Sequence, residues 1–304
     1  MALILEQILN GLQFGVMLFL LAAGLTLVFG IMGVINLAHG SLYMIGAFAA
    51  ALTVAETGSW WLGLLAGIAA AAAAGMLIEL LALRRLYARD HLDQVLATFG
   101  LILFCNQGMI IAFGRQPLFV ELPAAFQGAV EVIPGVPYPS FRLLIIAVGL
   151  AVALGLWWLI ARTRIGMLVR AGATHREMVR ALGVDIRLLY TLVFGLGALL
   201  AGLAGVMAGP VYNVQVGMGE QILILTFVVV VIGGIGSVRG AFFGALLVGM
   251  TQTLLTAFLP GLLRGLMPAS EADALGAALS SMGVYVLMAA VLLWRPRGLF
   301  PAHA

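Results

Sequence analysis

The stretch LLAGIAAAAAAGMLIELLAL, residues 64–83, carries one charge in twenty residues. In water it would bury nearly every side chain and leave no face for solvent, whereas about 20 apolar residues are what a helix needs to cross a bilayer. Windows with more than roughly 18 uncharged residues recur along the chain. Across all 304 residues 63% are apolar and 9% charged, against about half and a quarter in soluble domains. These proportions predict an integral membrane protein. Transmembrane barrels alternate apolar and polar positions over about 10 residues, which this chain does not do, so the expected fold class is an all-α, polytopic transmembrane helical bundle forming a single domain over residues 1–304.

Apolar segments are expected near 8–29, 35–55, 60–83, 94–113, 140–161, 188–210, 221–234, 241–259 and 275–294. The first two are separated only by GIMGVINLAHG and the seventh and eighth only by GGIGSVRG, so either pair is readable as one broken helix and the count is eight to ten. The N-terminus lacks a basic n-region and a cleavage site, and is read as the first span rather than a signal peptide. The lone Cys105 forms no intrachain disulfide and reads as a small buried hydrophobe. All 15 basic residues are Arg; a Walker A loop requires Lys, so the chain carries none, and no nucleotide or metal site is expected in it. No nucleic-acid contact is expected either.

Arginine marks the cytoplasmic side of short membrane loops. Arg84, Arg85 and Arg89 share one loop, Arg162, Arg164, Arg170, Arg176, Arg180 and Arg187 another, and Arg295 and Arg297 close the chain. If the segments alternate, these lie on one side, which places the C-terminus in the cytoplasm and, with nine crossings, the N-terminus outside. The opposite loop, 115–140, has five prolines, which disfavour helix. It is expected to form an irregular outer cap, serving as connector or docking surface.

Ion-coupled transporters place ionisable groups deep in their helices. Here the polar residues expected at depth are neutral: Asn36, Thr98, Asn106, Gln107, Thr226 and Gln252. They serve a neutral path or tie helices together. The 39 glycines suit close helix packing, and Gly33, Gly40, Gly233, Gly234, Gly236 and Gly240 are dense enough to predict helix breaks. The two breaks are loosely alike, LAHGSLYMIGA and SVRGAFFGA. The largest polar island, 162–187, is a cytoplasmic loop; Thr174 as N-cap with Glu177 three residues on forms a capping box, and HREMVRALG then continues as a short amphipathic helix to Gly183. This helix is either a solvated loop element or a partner-docking one.

The motifs GLTLVFGIMGVINLAHGSLYMIGAF (24–48), MVRALGVDI (178–186), VVVVIGGIGSVRGAFFGALLVG (228–249) and LLWRPRGLF (292–300) resemble, in order and over nearly the whole chain, those of the branched-chain amino-acid ABC transporter permeases, most closely the LivH-type membrane subunit. The resemblance implies a type II ABC importer-like bundle in the bacterial inner membrane. It also implies a second permease chain (LivM-type), two ATPase subunits that hold ATP and magnesium, and a periplasmic solute-binding protein. It makes Arg170, Arg176, Glu177, Arg180, Ala181 and Gly183 the ATPase-coupling segment, though Met178 after Glu177 departs from the fuller Glu-Ala-Ala form. For the translocation path or gate, the residues themselves offer Asn36, His39, Tyr43, Thr98, Asn106, Gln107 and Gln252. The solute implied is a branched-chain or other neutral amino acid; relatives for amides, urea or aromatic acids are the alternative. A stand-alone carrier lacks the deep charge pair it needs, and a membrane enzyme lacks a catalytic cluster.

Overall fold

The computed structural model describes residues 2–300 apart from Ala88, Pro134 and His175, with only the backbone of Ala2, Ile133, Val136, Ala173, Thr174, Arg176 and Glu177. Among the described residues, eight helices are long and apolar enough to cross a membrane: α1 (Ala2–Met32), α2 (His39–Thr57), α3 (Trp60–Leu81), α4 (His91–Phe113), α5 (Ser140–Arg162), α8 (Ile186–Tyr212), α10 (Val238–Leu263) and α11 (Ala269–Trp294). Between α5 and α8 lie the short α6 (Arg164–Thr174) and α7 (Arg176–Ala181), and α9 (Met218–Gly233) is an apolar helix of 16 residues. Every apolar segment expected from hydropathy is therefore a helix of its own. The expected irregular cap differs in one respect: residues 129–139 pair as an antiparallel hairpin, β1 (Ala129–Ile133) with β2 (Val136–Pro139), turning at Gly135 with φ +79°. Its Tyr138 is buried, which pins the hairpin to the bundle.

Three helices form the centre. In the best apolar windows of α1, α8 and α2, 83%, 78% and 61% of residues are buried, against 11–22% in α3, α4, α5, α10 and α11. Small residues allow this, because in lipid close packing rather than apolar burial drives association. Gly24 of α1 meets Gly197 of α8, Gly46 of α2 meets Gly202, and Gly205 lies against the Tyr43 carbonyl, each so near that a methyl group would overlap backbone. On the far side of α1, Gly15 meets Gly249 of α10.

The helices alternate in direction, so the bundle has two chemically distinct ends. One holds the hairpin. The other collects the loop after α3, all of α6 and α7, the start of α10 and the tail after α11, and with them twelve of the fifteen arginines.

Candidate functional site

At the arginine end the polar island folds into more than the single short helix expected, because α6 precedes α7 and turns tightly off α5 at Gly166, where a side chain would overlap the Leu159 and Ile160 carbonyls. The side chains of the proposed capping pair, Thr174 and Glu177, and that of Arg176 lie outside the described residues. The end of α7 is clear. Gly183 has φ +83°, its N–H donates to Arg180 O at 3.0 Å, and the Val184 N–H donates to Val179 O at 3.4 Å. This is the paired closure that a left-handed glycine allows. Val179 is buried, while Met178 and Leu182, one turn apart, are 62% and 78% exposed, with Arg180 and Ala181 also exposed between them.

Two residues after Gly183, the Asp185 carboxylate caps α8 by accepting from the Arg187 and Leu188 amides at 2.9 and 3.2 Å. Thr191, in the second turn of α8, reaches a fully buried carboxylate on α3. Its hydroxyl donates to Glu79 Oε2 at 2.8 Å and accepts from Arg84 Nη2 at 2.8 Å, while Arg84 bridges both Glu79 oxygens at 3.3 Å and Tyr87 donates to Oε1 at 2.6 Å. Glu79 sits near the end of its helix, as its sequence position implies, yet it is completely buried. Burial above all, and then the hydrogen bond to this carboxylate, push the Tyr87 phenol above its ordinary pKa.

The break between α1 and α2 is built by neighbouring groups. Gly33 takes φ +66°, Asn36 Oδ1 accepts from the Ala38 amide at 3.0 Å, and Gln94 of α4 accepts from the Ile35 amide at 3.4 Å while donating to the Leu86 and Arg89 carbonyls. Asn36 therefore caps its own break. His39 is wholly buried with its ring against Gly24; the Leu21 carbonyl is near but outside hydrogen-bonding geometry. In the second break Gly234 and Gly236 have φ +103° and +83°, and Ser237 Oγ accepts from the Gly240 amide at 3.1 Å. Of the six glycines expected at the helix breaks, Gly40, Gly233 and Gly240 lie in the first or last turn of the helices that border them, where their missing side chains let backbones touch. Gly40 meets Gly219 and Gly240 meets Gly233, so the two similar motifs grip opposite ends of α9.

Between α1, α2, α8 and α9 lies a cavity of about 160 Å³. Its depth follows from Phe14, whose ring centroid is 6.4 Å from that of Tyr212. Phe14 is twelve residues into α1, roughly 18 Å along the helix at 1.5 Å per residue. Its lining combines apolar side chains, Phe14, Met17, Met218, Ile222 and Leu225, with polar ones, Tyr43, Tyr212, Asn213, Gln215 and Gln221. The backbone turning from α8 into α9 forms part of the lining, and non-helical backbone at such depth is tolerated only where protein buries it or a cavity borders it. Asn213 has φ +60° and ψ 161°, a region held almost only by glycine. The next residue, Val214, is locked by a two-bond bridge to Leu118 of the outer loop, at 2.8 and 2.9 Å.

The seven residues offered for the path do not converge. Tyr43 lines the cavity, and Asn36 and His39 belong to the first break. Thr98 donates to the Gln94 carbonyl of its own helix at 2.8 Å, a backbone-satisfying role. Asn106 donates to Glu220, Gln107 is exposed, and Gln252 lies on α10 with its Oε1 buried and unpartnered. Sequence reasoning missed Asn213, Gln215 and Gln221. The polar run NVQVGMGEQ between two apolar segments, following Pro210, was the available signal.

The family model described as the permease component of the branched-chain amino acid transport system matches residues 7–293. The high-affinity branched-chain amino acid permease protein BraD of Pseudomonas aeruginosa is 32% identical over 307 residues, covering 97% of this chain and 95% of its own. LivH of Escherichia coli K12, named for the same transport, is 32% identical over 84% of this chain and 87% of its own. The fructose import permease protein FruF of Bifidobacterium longum is 27% identical over 78% of this chain and 67% of its own. No solved structure matches the chain significantly. A match over nearly the full length, in a multi-pass helical bundle, decides the assignment: the chain belongs to the family of branched-chain amino acid transport system permease components.

Proposed function

We propose that this chain is a membrane subunit of an ATP-driven importer for branched-chain or other neutral amino acids, passing the solute alongside a second permease chain. ATP and magnesium are then held by two partner ATPases, and a periplasmic binding protein delivers the solute. The observation that carries this reading is the mounting of α7. It presents the exposed pair Met178 and Leu182 with Arg180 and Ala181 between them, and Gly183 and Asp185 connect it by a short stiff turn to central α8. An ATPase pressing on this face moves α8, and α8 is tied to α3 through Glu79. The coupling residues are Arg170, Arg176, Glu177, Arg180, Ala181 and Gly183. The arginine end, with the C-terminus, faces the cytoplasm of the bacterial inner membrane, and the hairpin faces outward.

The test is uptake of radiolabelled leucine by the complete transporter in proteoliposomes. Uptake is expected to require ATP and to vanish with a catalytically inactive ATPase subunit. Undiminished uptake with the inactive ATPase overturns the reading.

A further inference from the structure

We infer that Glu220 of α9 faces the aqueous path through the membrane and is the residue that holds the protonated nitrogen of the passing solute. This rests on the importer reading and adds to it a contact residue and the face of the bundle that lines the path. Depth is the first argument. Glu220 lies thirteen residues from Gly233, where α9 meets the arginine end, roughly 20 Å at 1.5 Å per residue. Its hydrogen-bond partner Asn106 lies fifteen residues along α4 from His91, roughly 22 Å by the same rise. Both helices are counted from the same end of the bundle and agree, so within a hydrocarbon core of about 30 Å the carboxylate lies well below the outer surface.

Hydropathy, which puts Glu220 at the edge of an apolar segment, implies a position at the surface. The start of α9 lies inside the bundle instead. Gly219 packs on the Gly40 backbone, and the neighbouring His39 lies against Gly24, eight residues before the end of α1.

Charge is the second argument. An ionisable side chain at such depth faces a water-filled space or a partner group rather than lipid. Glu220 is exposed on this chain, as is Gln221 beside it. It makes no ion pair among the described residues, where Arg84 pairs with Glu79 and Arg264 with Asp273, so its countercharge comes from outside the chain. Water reaches it along the half-open space between α1, α2, α8 and α9, whose lining includes Gln221 and no basic side chain. The same lining holds Tyr43, which is 3% exposed and whose hydroxyl has no hydrogen-bond partner among the described residues. A carboxylate only accepts hydrogen bonds and an ammonium only donates them, which makes a protonated nitrogen the group that Glu220 holds. Asn106, donating to the same carboxylate from α4, is a positioning residue.

The experiment places a thiol at the site in the complete transporter in proteoliposomes, with Cys105→Ala removing the native cysteine. Two membrane-impermeant methanethiosulfonates are applied, one ending in a sulfonate and one in a trimethylammonium group. Glu220→Cys is expected to react with both, and Leu154→Cys, exposed at mid-length of α5, with neither. The sulfonate adduct restores a negative charge and is expected to import leucine severalfold faster than the trimethylammonium adduct. Glu220→Gln, which keeps an acceptor for Asn106, is expected to lower leucine uptake about tenfold or more, the size of one lost charge-assisted hydrogen bond. Its unfolding temperature is expected to match wild type, and Glu220→Asp to recover part of the uptake. A Glu220→Cys thiol inert to both reagents places the residue against protein or lipid and overturns the assignment. Equal uptake by the two adducts, or wild-type uptake by Glu220→Gln, overturns it as well. The thiol reaction needs neither ATP nor solute, and ATP-dependent leucine uptake by the wild type decides the importer reading separately.

Discussion

Thr191 of α8 and Glu79 of α3 meet through a 2.8 Å hydrogen bond across 112 residues of sequence. Arg84 supplies the countercharge with its side chain 34% exposed, while the carboxylate is fully buried. Removing one partner of such a pair leaves a buried charge uncompensated, which costs about 3–5 kcal/mol, whereas replacing both with apolar groups is often neutral. Arg84→Met is therefore expected to lose stability near the lower end of that range, given its partial exposure, and Glu79→Leu with Arg84→Met to recover most of it. Thermal unfolding in detergent compares the two, and an Arg84→Met protein as stable as wild type would refute the role given to the pair.

The same cluster has a pH signature. Burial, then the Glu79 carboxylate, hold the Tyr87 phenol above its ordinary pKa. The folded state thus favours the protonated form, and its contribution is complete below the unfolded value of about 10 and declines as pH rises past it. The stability difference between wild type and Tyr87→Phe is expected to be constant from pH 7 to 9 and to shrink above pH 10, measured by unfolding at each pH. A difference that grows above pH 10 contradicts the sign.

Gly183 tests the joint between α7 and α8. A side chain in the left-handed region costs roughly 1–2 kcal/mol, and Asn pays less than a β-branched residue. Gly183→Val is expected to lower leucine uptake per ATP hydrolysed at least tenfold, with Gly183→Asn intermediate. Equal coupling ratios in all three proteins would remove Gly183 from the coupling path.

Much of this architecture was legible from hydropathy, because nine apolar segments separated by polar or glycine-rich breaks admit few folds. Gly183 was legible too, since glycine after an amphipathic run marks a helix stop. What hydropathy does not separate is lipid from protein interior. Leu18 at the centre and Leu103 at the periphery contribute the same apolar surface to a sequence, yet one is buried and the other more than half exposed. The centrality of α1, α2 and α8 depends on which glycines face one another. The polar path residues were sought inside helices, whereas two polar residues of the cavity lining, Asn213 and Gln215, come from a turn between two of them.

Gly219 and Gly100 illustrate that difference as a paired prediction. A methyl group on Gly219 would lie 2.1 Å from the Gly40 carbonyl oxygen, while Gly100 of α4 has nothing within 4 Å. Overpacking at a backbone crossing costs about 1–3 kcal/mol, and an unobstructed helical glycine gives up about 0.5–1 kcal/mol relative to alanine. Gly219→Ala is expected to lower the unfolding temperature and Gly100→Ala to leave it level or raise it. The opposite ordering would contradict the crossing of α2 and α9.

Asn213 offers the last prediction, because its backbone conformation works against its residue type. At φ +60° and ψ 161° a residue other than glycine carries strain of about 1–3 kcal/mol, offset here by the Leu118–Val214 bridge. Asn213→Gly relieves that strain at a smaller cost in unfolded-state entropy, and removes one amide from the cavity wall. The variant is expected to unfold at a higher temperature than wild type and yet to take up leucine more slowly, an inverse pairing that a purely structural turn would not produce. Asn213→Ala supplies the control, since it loses the amide but keeps the strain. It is expected to be slow in uptake without the gain in stability, and a fast, stable Asn213→Gly protein would show that the turn needs only its shape.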